Sequence, residues 1–246
     1  SEHHQAYIQR YNQTGFATLK IHSFDSRGVS STVGEQISCT TAMMILDSYK
    51  ALDKMSSDER IDPDKVGITG WSLGGGVALF TAWEPIKNFL SPDKGFAAHL
   101  PIYPPFIFKP ETIDFTDAPI QILIGELDDW VSAEACSDIV EEINKDETSN
   151  AEIIIYPGSH HSFDSTRELT FNQGAYSVDD CELTVSDDGA IYTRNEGFPM
   201  TTPALQRIGL FLCAERGTHW GYSDPNMRAQ SIDDASTFMI KHLKSN

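Results

Sequence analysis

The sequence predicts an α/β fold: a mostly parallel central sheet with helices on both faces, followed by a C-terminal excursion. Three observations lead there. Short apolar runs alternate with stretches of helical spacing through roughly the first 160 of 246 residues. Two of the runs, residues 120–124 (IQILI) and 151–156 (AEIIIY), are almost wholly apolar, as strands covered on both faces must be. The intervening stretches are long enough for crossover helices, which return the chain to the same sheet with right-handed chirality.

In chain order, residues 3–13 read as a helix stopped by Gly15, and residues 16–21 (FATLKI) as a short strand. Residues 35–54 form a long helix with Met43, Met44, Leu46 and Leu52 at helical spacing. After the turn Asp62-Pro63-Asp64 come a strand at 66–69 and a helix at 74–83 that Pro85 ends. A strand at 96–102 leads into the loop Tyr103-Pro104-Pro105-Phe106, and a helix at 132–144 separates the two apolar strands. The rhythm then changes. Residues 182–193 carry two strand-like runs around Asp187-Asp188-Gly189, a hairpin signal. Thr202 can cap a helix with Pro203 in its first turn, running to about Glu215. The expected organisation is one domain over 1–246: a sheet core at 1–163, an excursion packed near the site at 164–230 and a closing helix at 231–246.

Composition narrows the function class. Asp and Glu number 36 against 18 Lys and Arg, a net charge of −18, which repels phosphate backbones and argues against nucleic acid as a partner. No apolar run approaches the ~20 residues that cross a bilayer. No Gly-x-Gly-x-x-Gly follows a strand and no Walker loop occurs, so no cofactor is expected. Of the four cysteines none is spaced Cys-x-x-Cys, which argues against zinc. Cys39 and Cys136 read as buried apolar residues in helix-like stretches. Cys181 and Cys213 flank the hairpin and the Pro203 helix, and stand either as a disulfide, which implies an oxidising compartment, or as two buried thiols. The sequence assigns neither a compartment nor an oligomeric state.

The sharpest chemical signal is Gly70-Trp71-Ser72-Leu73-Gly74 between a strand and a helix. That context makes it a nucleophile elbow: a tight turn lifts the Ser72 hydroxyl out of the sheet and aims the Leu73 backbone amide at a developing oxyanion. A serine needs a base and an acid. Asp128 follows the 120–124 strand in Gly125-Glu126-Leu127-Asp128-Asp129, with Asp129 and Glu126 as neighbouring alternatives. His161 follows the 151–156 strand in Gly158-Ser159-His160-His161, with His160 as its competitor. The histidine pair is not read as metal ligands, because adjacent side chains diverge and no carboxylate-rich motif accompanies them. His3, His4, His22, His99, His219 and His242 are left as ordinary residues. Trp71, Tyr103, Phe106 and Trp130 are candidates for an apolar acyl pocket.

These residues resemble the dienelactone hydrolase family of the α/β-hydrolase superfamily. The likeness rests on Ser23-Phe24-Asp25-Ser26-Arg27-Gly28, on the stretches 70–76 and 125–131, and on 156–164, which together frame about two thirds of the chain. The resemblance implies Ser72 as nucleophile, Asp128 as acid and His161 as base, acting on a small-molecule carboxylic ester or lactone. The family's namesakes use cysteine where this chain has Ser72, so a general esterase is the nearer expectation. His22 stands where relatives often carry aspartate. In the family's topology a strand ahead of the first helix provides the second oxyanion amide; the resemblance implies that this strand is not in the sequence and that a central gap is to be expected between the 16–21 strand and the 66–69 strand. A longer native polypeptide or a separate piece is expected to complete the sheet. Two other functions stay open: a peptidase or acyl-peptide hydrolase on the same triad, and a non-catalytic hydrolase-like binding module.

Overall fold

A computed structural model describes residues 2–32, 38–178, 180–194 and 197–244. Its centre is a four-stranded, all-parallel sheet of β1 (Gly67–Trp71), β2 (Ala98–Ile102), β4 (Ile120–Gly125) and β5 (Ala151–Tyr156) in the order β1-β2-β4-β5. β2 and β4 are buried along their whole length, which is why their sequences show no alternation. Helices α2 (Thr41–Ser56), α3 (Leu73–Phe80), α5 (Ala133–Ile143) and α7 (Pro225–Leu243) pack onto this sheet or onto one another, and α1 (Glu2–Gln13) lies against α7. One continuous core runs through them, from Tyr7 and Tyr49 through Leu100, Ile122 and Phe163 to Phe238.

Local chemistry sets the helix ends. The Thr40 side chain accepts from the Met43 amide and starts α2 there, six residues later than the hydrophobic spacing suggests; positions 35–37 lie outside the described residues. Cys39 therefore precedes the helix, although it is buried. The expected helix at 74–83 is two helices. α3 stops at Phe80, and Pro85 opens α4 (Glu84–Leu90) from its first turn, where a missing amide hydrogen costs nothing. Ser132 caps α5 by accepting from the Ala135 amide.

Residues 16–21 are not a strand. They pair with neither β1 nor any other strand among the described residues, and Leu19 and Ile21 are exposed. β1 is the end strand of the sheet, and an open groove of about 870 Å³ lies between its free edge and the 16–21 segment. Ile8, Met44, Leu52, Ile68 and Val77 are among the groove's apolar walls.

Beyond residue 163 the chain builds two small sheets. β7 (Leu183–Val185) and β8 (Ile191–Thr193) form the expected hairpin, and β3 (Phe108–Pro110), read from sequence as loop, adds to it in parallel. β6 (Thr170–Ser177) pairs antiparallel with β9 (Glu215–Trp220), neither of which the sequence reading anticipated. Between them lies α6 (Pro203–Cys213), capped by Thr202. The closing helix begins at Pro225, not at 231, because Asp224 caps it and Pro225 occupies its first turn. A Cys181–Cys213 disulfide joins the hairpin to the end of α6. Among the described residues no helix is long and apolar enough to cross a membrane.

Candidate active site

Three loops leave the carboxyl ends of β1, β4 and β5 and meet at one end of the sheet, where open parallel sheets form crevices. Ser72 stands between β1 and α3 with φ 52°, a left-handed conformation that a non-glycine residue holds only when its surroundings impose it. The turn closes so tightly that a Cβ on Gly70 would lie 2.0 Å from the Gly74 carbonyl oxygen. Among the described residues the other two non-glycine residues with positive φ are Tyr103 and Ser162, the first packed against His161 and the second following it. Strained backbone thus gathers around one point.

His161 is buried and Nε2 lies 2.9 Å from Ser72 Oγ. Its Nδ1 lies 2.8 Å from Asp128 Oδ2. The other Asp128 oxygen, Oδ1, accepts from the backbone amides of Trp130 and Val131 at 3.0 and 3.1 Å. Asp128 is thereby held with one oxygen free to orient the imidazole, and water is kept from the pair. The loops that carry Asp128 and His161 touch: a Cβ on Gly125 would lie 2.4 Å from the Ser159 carbonyl oxygen.

The alternatives go elsewhere. Asp129 accepts from the backbone amide of His219 at 2.8 Å and meets its Nδ1 at 2.6 Å. Glu126 accepts from the Gly158 amide, and the His160 ring lies 5.4 Å from that of His219. Leu73 opens α3, which places its amide at the helix start beside Ser72.

The four aromatic candidates separate. Tyr103 and Trp130 flank His161 with ring centroids 4.7 and 4.8 Å away. Trp71 lines the open groove with Ser72 and packs against His4 and Tyr7 of α1; burial pushes the His4 imidazole down to about 3. Phe106 instead stacks on Phe80 and lines a different cleft, beside Cys181 and Arg194.

Sequence reading missed Asp164. It is fully buried and accepts from the Trp71 indole at 3.0 Å and the Tyr103 hydroxyl at 2.9 Å, tying both rings to the loop that follows His161. Burial, reinforced by this carboxylate, pushes the Tyr103 phenol far up and keeps it protonated as donor. Its only signal was an acidic residue three positions after His161. The excursion attaches to this loop through the backbone: the Gly221 amide donates to the His161 carbonyl at 2.8 Å, just past β9.

Residues 17–181 match the dienelactone hydrolase family, about two thirds of the chain. No curated protein matches it. Among solved structures the chain is similar to a candidate dienelactone hydrolase from Klebsiella pneumoniae subsp. pneumoniae. The two share 18% identity at a TM-score of 0.51, over 67% of this chain and 71% of that one. A thermophilic esterase from Thermogutta terrifontis with propionate bound is 18% identical at a TM-score of 0.42, over 52% of this chain and 57% of that one. Esterase 2 of the same organism, phosphorylated by paraoxon, is 19% identical at a TM-score of 0.43, over 56% and 58%. The chain therefore spans little more than half the length of these esterases. At such identities the structural likeness concerns fold alone. With two thirds of its residues matching, the chain belongs to the dienelactone hydrolase family.

Proposed function

We propose that the protein is a serine hydrolase that cleaves carboxylic esters or lactones through an acyl-enzyme on Ser72. The observation that carries the reading is the unbroken line from Ser72 Oγ through the His161 imidazole to buried Asp128. His161 takes the Ser72 proton as Oγ attacks the ester carbonyl, and Asp128 holds the ring in the tautomer that presents a bare Nε2. The Leu73 amide donates to the oxyanion. Collapse of the tetrahedral species breaks the ester C–O bond, and the imidazolium returns its proton to the leaving alkoxide. Water then attacks the acyl-enzyme by the same route and frees Ser72.

The free edge of β1 bears on this chemistry. In our reading an extended apolar strand of polypeptide pairs with β1 across the groove and its end provides the second oxyanion donor. In support, the edge has no strand partner among the described residues and the groove walls are largely apolar. Loss of one such donor costs roughly 10²–10³ in turnover. An N-terminally extended polypeptide should therefore turn over faster than this chain by about that factor, with slowed hydrogen exchange along β1. Equal rates and equal exchange would remove the strand from the scheme.

The deciding experiment for the nucleophile is labelling with a fluorophosphonate probe. One adduct per chain, located at Ser72 and absent from Ser72→Ala, is expected. An intact protein that takes no label at Ser72 would favour a binding module.

A further inference from the structure

We propose that Asp129, His160 and His219 form a binding site for a divalent transition-metal ion of the zinc class, which clasps strand β9 to the two loops that carry Asp128 and His161. Each of the three residues offers one ligand atom, and these atoms all lie within 4.8 Å of one another. They come from three separate elements: the loop after β4, the loop after β5, and β9 itself. No sequence motif unites them: the sequence reading set aside the His160–His161 pair, whereas the carboxylate and the second imidazole here come from elements distant in the chain.

A second observation points to a ligand. The Nδ1 of His160 is buried and has no hydrogen-bond partner among the described residues. Buried polar atoms are almost always paired, and a histidine with an unpaired ring nitrogen that also offers a ligand atom within 4.8 Å of those of Asp129 and His219 is an arrangement that a metal ion satisfies. His160 and His161 diverge, as adjacent side chains do: His161 faces Ser72, while the His160 ring faces that of His219.

Geometry permits entry with small movements. With bonds of about 2.0–2.1 Å, tetrahedral zinc ligands stand about 3.3 Å apart. The His219 and Asp129 side chains, now 2.6 Å apart, would open slightly, and His160 would draw in. Asp129 can keep its Oδ1 contact with the His219 backbone amide while Oδ2 turns from the imidazole to the ion. All three side chains are only partly buried, so water can reach a fourth position. Two imidazoles and one carboxylate favour zinc, cobalt or nickel over magnesium or calcium, which prefer all-oxygen sets. The net charge of −18 raises the local cation concentration. The site does not depend on Ser72 being the nucleophile.

The test uses the whole chain, stripped with chelator. Zn²⁺ should bind with one-to-one stoichiometry, and a 100-fold excess over Kd should raise Tm by about 5–10 °C, while Mg²⁺ should not. Co²⁺ should give visible bands of a nitrogen-ligated ion. His160→Ala and His219→Ala should each lower the affinity by at least about 100-fold, since even supporting residues around metal ligands cost 10–100-fold. His3→Ala/His4→Ala should not, which excludes the histidine pair on α1. Absence of saturable Zn²⁺ binding overturns the proposal, as does undiminished affinity in the His160 and His219 variants. If either variant fails to fold, the cobalt spectrum of the unaltered chain decides, and a spectrum without nitrogen ligands overturns the site.

Discussion

The parallel sheet and the excursion beyond it meet at the same three loops, yet they are built differently. The sheet buries a broad core in which whole strands such as β2 and β4 are covered on both faces. The excursion has a thin one: Ile107, Val178, Cys181, Leu183 and Met200, stapled by the Cys181–Cys213 bridge. Its strands are three to eight residues long, and β6 and β9 are separated by most of the excursion. The sheet generates the position of the site, because loops at the carboxyl ends of parallel strands must gather. The excursion then bonds to the loops after β4 and β5. Gly221 bonds His161, His219 bonds Asp129, and the Ser177 hydroxyl donates to the Asp129 carbonyl. A well-buried frame and a lightly buried brace divide the work.

Breaking the site within the frame should have the largest effect. Ser72→Ala should lower turnover of a short p-nitrophenyl ester by about 10⁶, and Asp128→Asn by about 10⁴, through loss of the nucleophile and of the imidazole tautomer. Asp129→Asn should cost far less, because that carboxylate faces the brace and not His161. A loss in Asp129→Asn equal to that in Asp128→Asn would merge the two roles.

Removing the staple should loosen the brace alone. Replacing Cys181 and Cys213 by serine opens a loop with 32 residues of separation and should cost about 3–4 kcal/mol. Limited proteolysis should cut within 164–220, while amides of β2 and β4 keep their hydrogen-exchange protection. Uniform loss of protection would mean that frame and brace unfold together.

Acid should attack the frame. His99 is fully buried in β2, where Nδ1 lies 3.1 Å from the Ala78 carbonyl, and burial pushes its pKa down to about 4. The unfolded chain, with an ordinary value near 6.5, binds this proton more readily. The resulting stability is complete above about pH 6.5 and is lost as pH falls towards 4, about 3 kcal/mol in all. Urea titrations from pH 7 to 4 should show the loss, and His99→Gln should make it shallower by about that share, the remainder belonging to groups such as His4. An unchanged slope in the variant would place the acid sensitivity elsewhere.

The smallest effect compares two caps. Ser132→Ala in the frame and Thr202→Ala in the brace each remove one acceptor from a helix start, worth about 1 kcal/mol. The first should lower the global Tm. The second should appear mainly as faster cleavage around α6, and equal shifts in global Tm would argue that the brace is not separable.

By itself the sequence determined what depends on neighbours along the chain. The apolar run of β4 showed a strand covered on both faces, whereas the similar run of β5 is an end strand with Glu152 and Ile155 exposed; Gly70 ahead of Ser72 showed a turn too tight for a side chain there. Such patterns express pairing periods and backbone sterics, which act over a few residues. The family resemblance rested on the same local signals. Tertiary structure alone decided what depends on distant partners. The 16–21 run has strand composition, but without a neighbour to accept its hydrogen bonds it forms no strand and lies largely exposed beside the groove. β6 and β9 are polar enough to read as loop and become strands by pairing with each other. Asp128, Asp129 and Glu126 are chemically alike in sequence. Which one meets His161 follows from backbone amides, from Gly158 and from His219, contacts that exist only once the sheet has brought the loops together. A carboxylate's role is set by its partners, and those partners lie far along the chain.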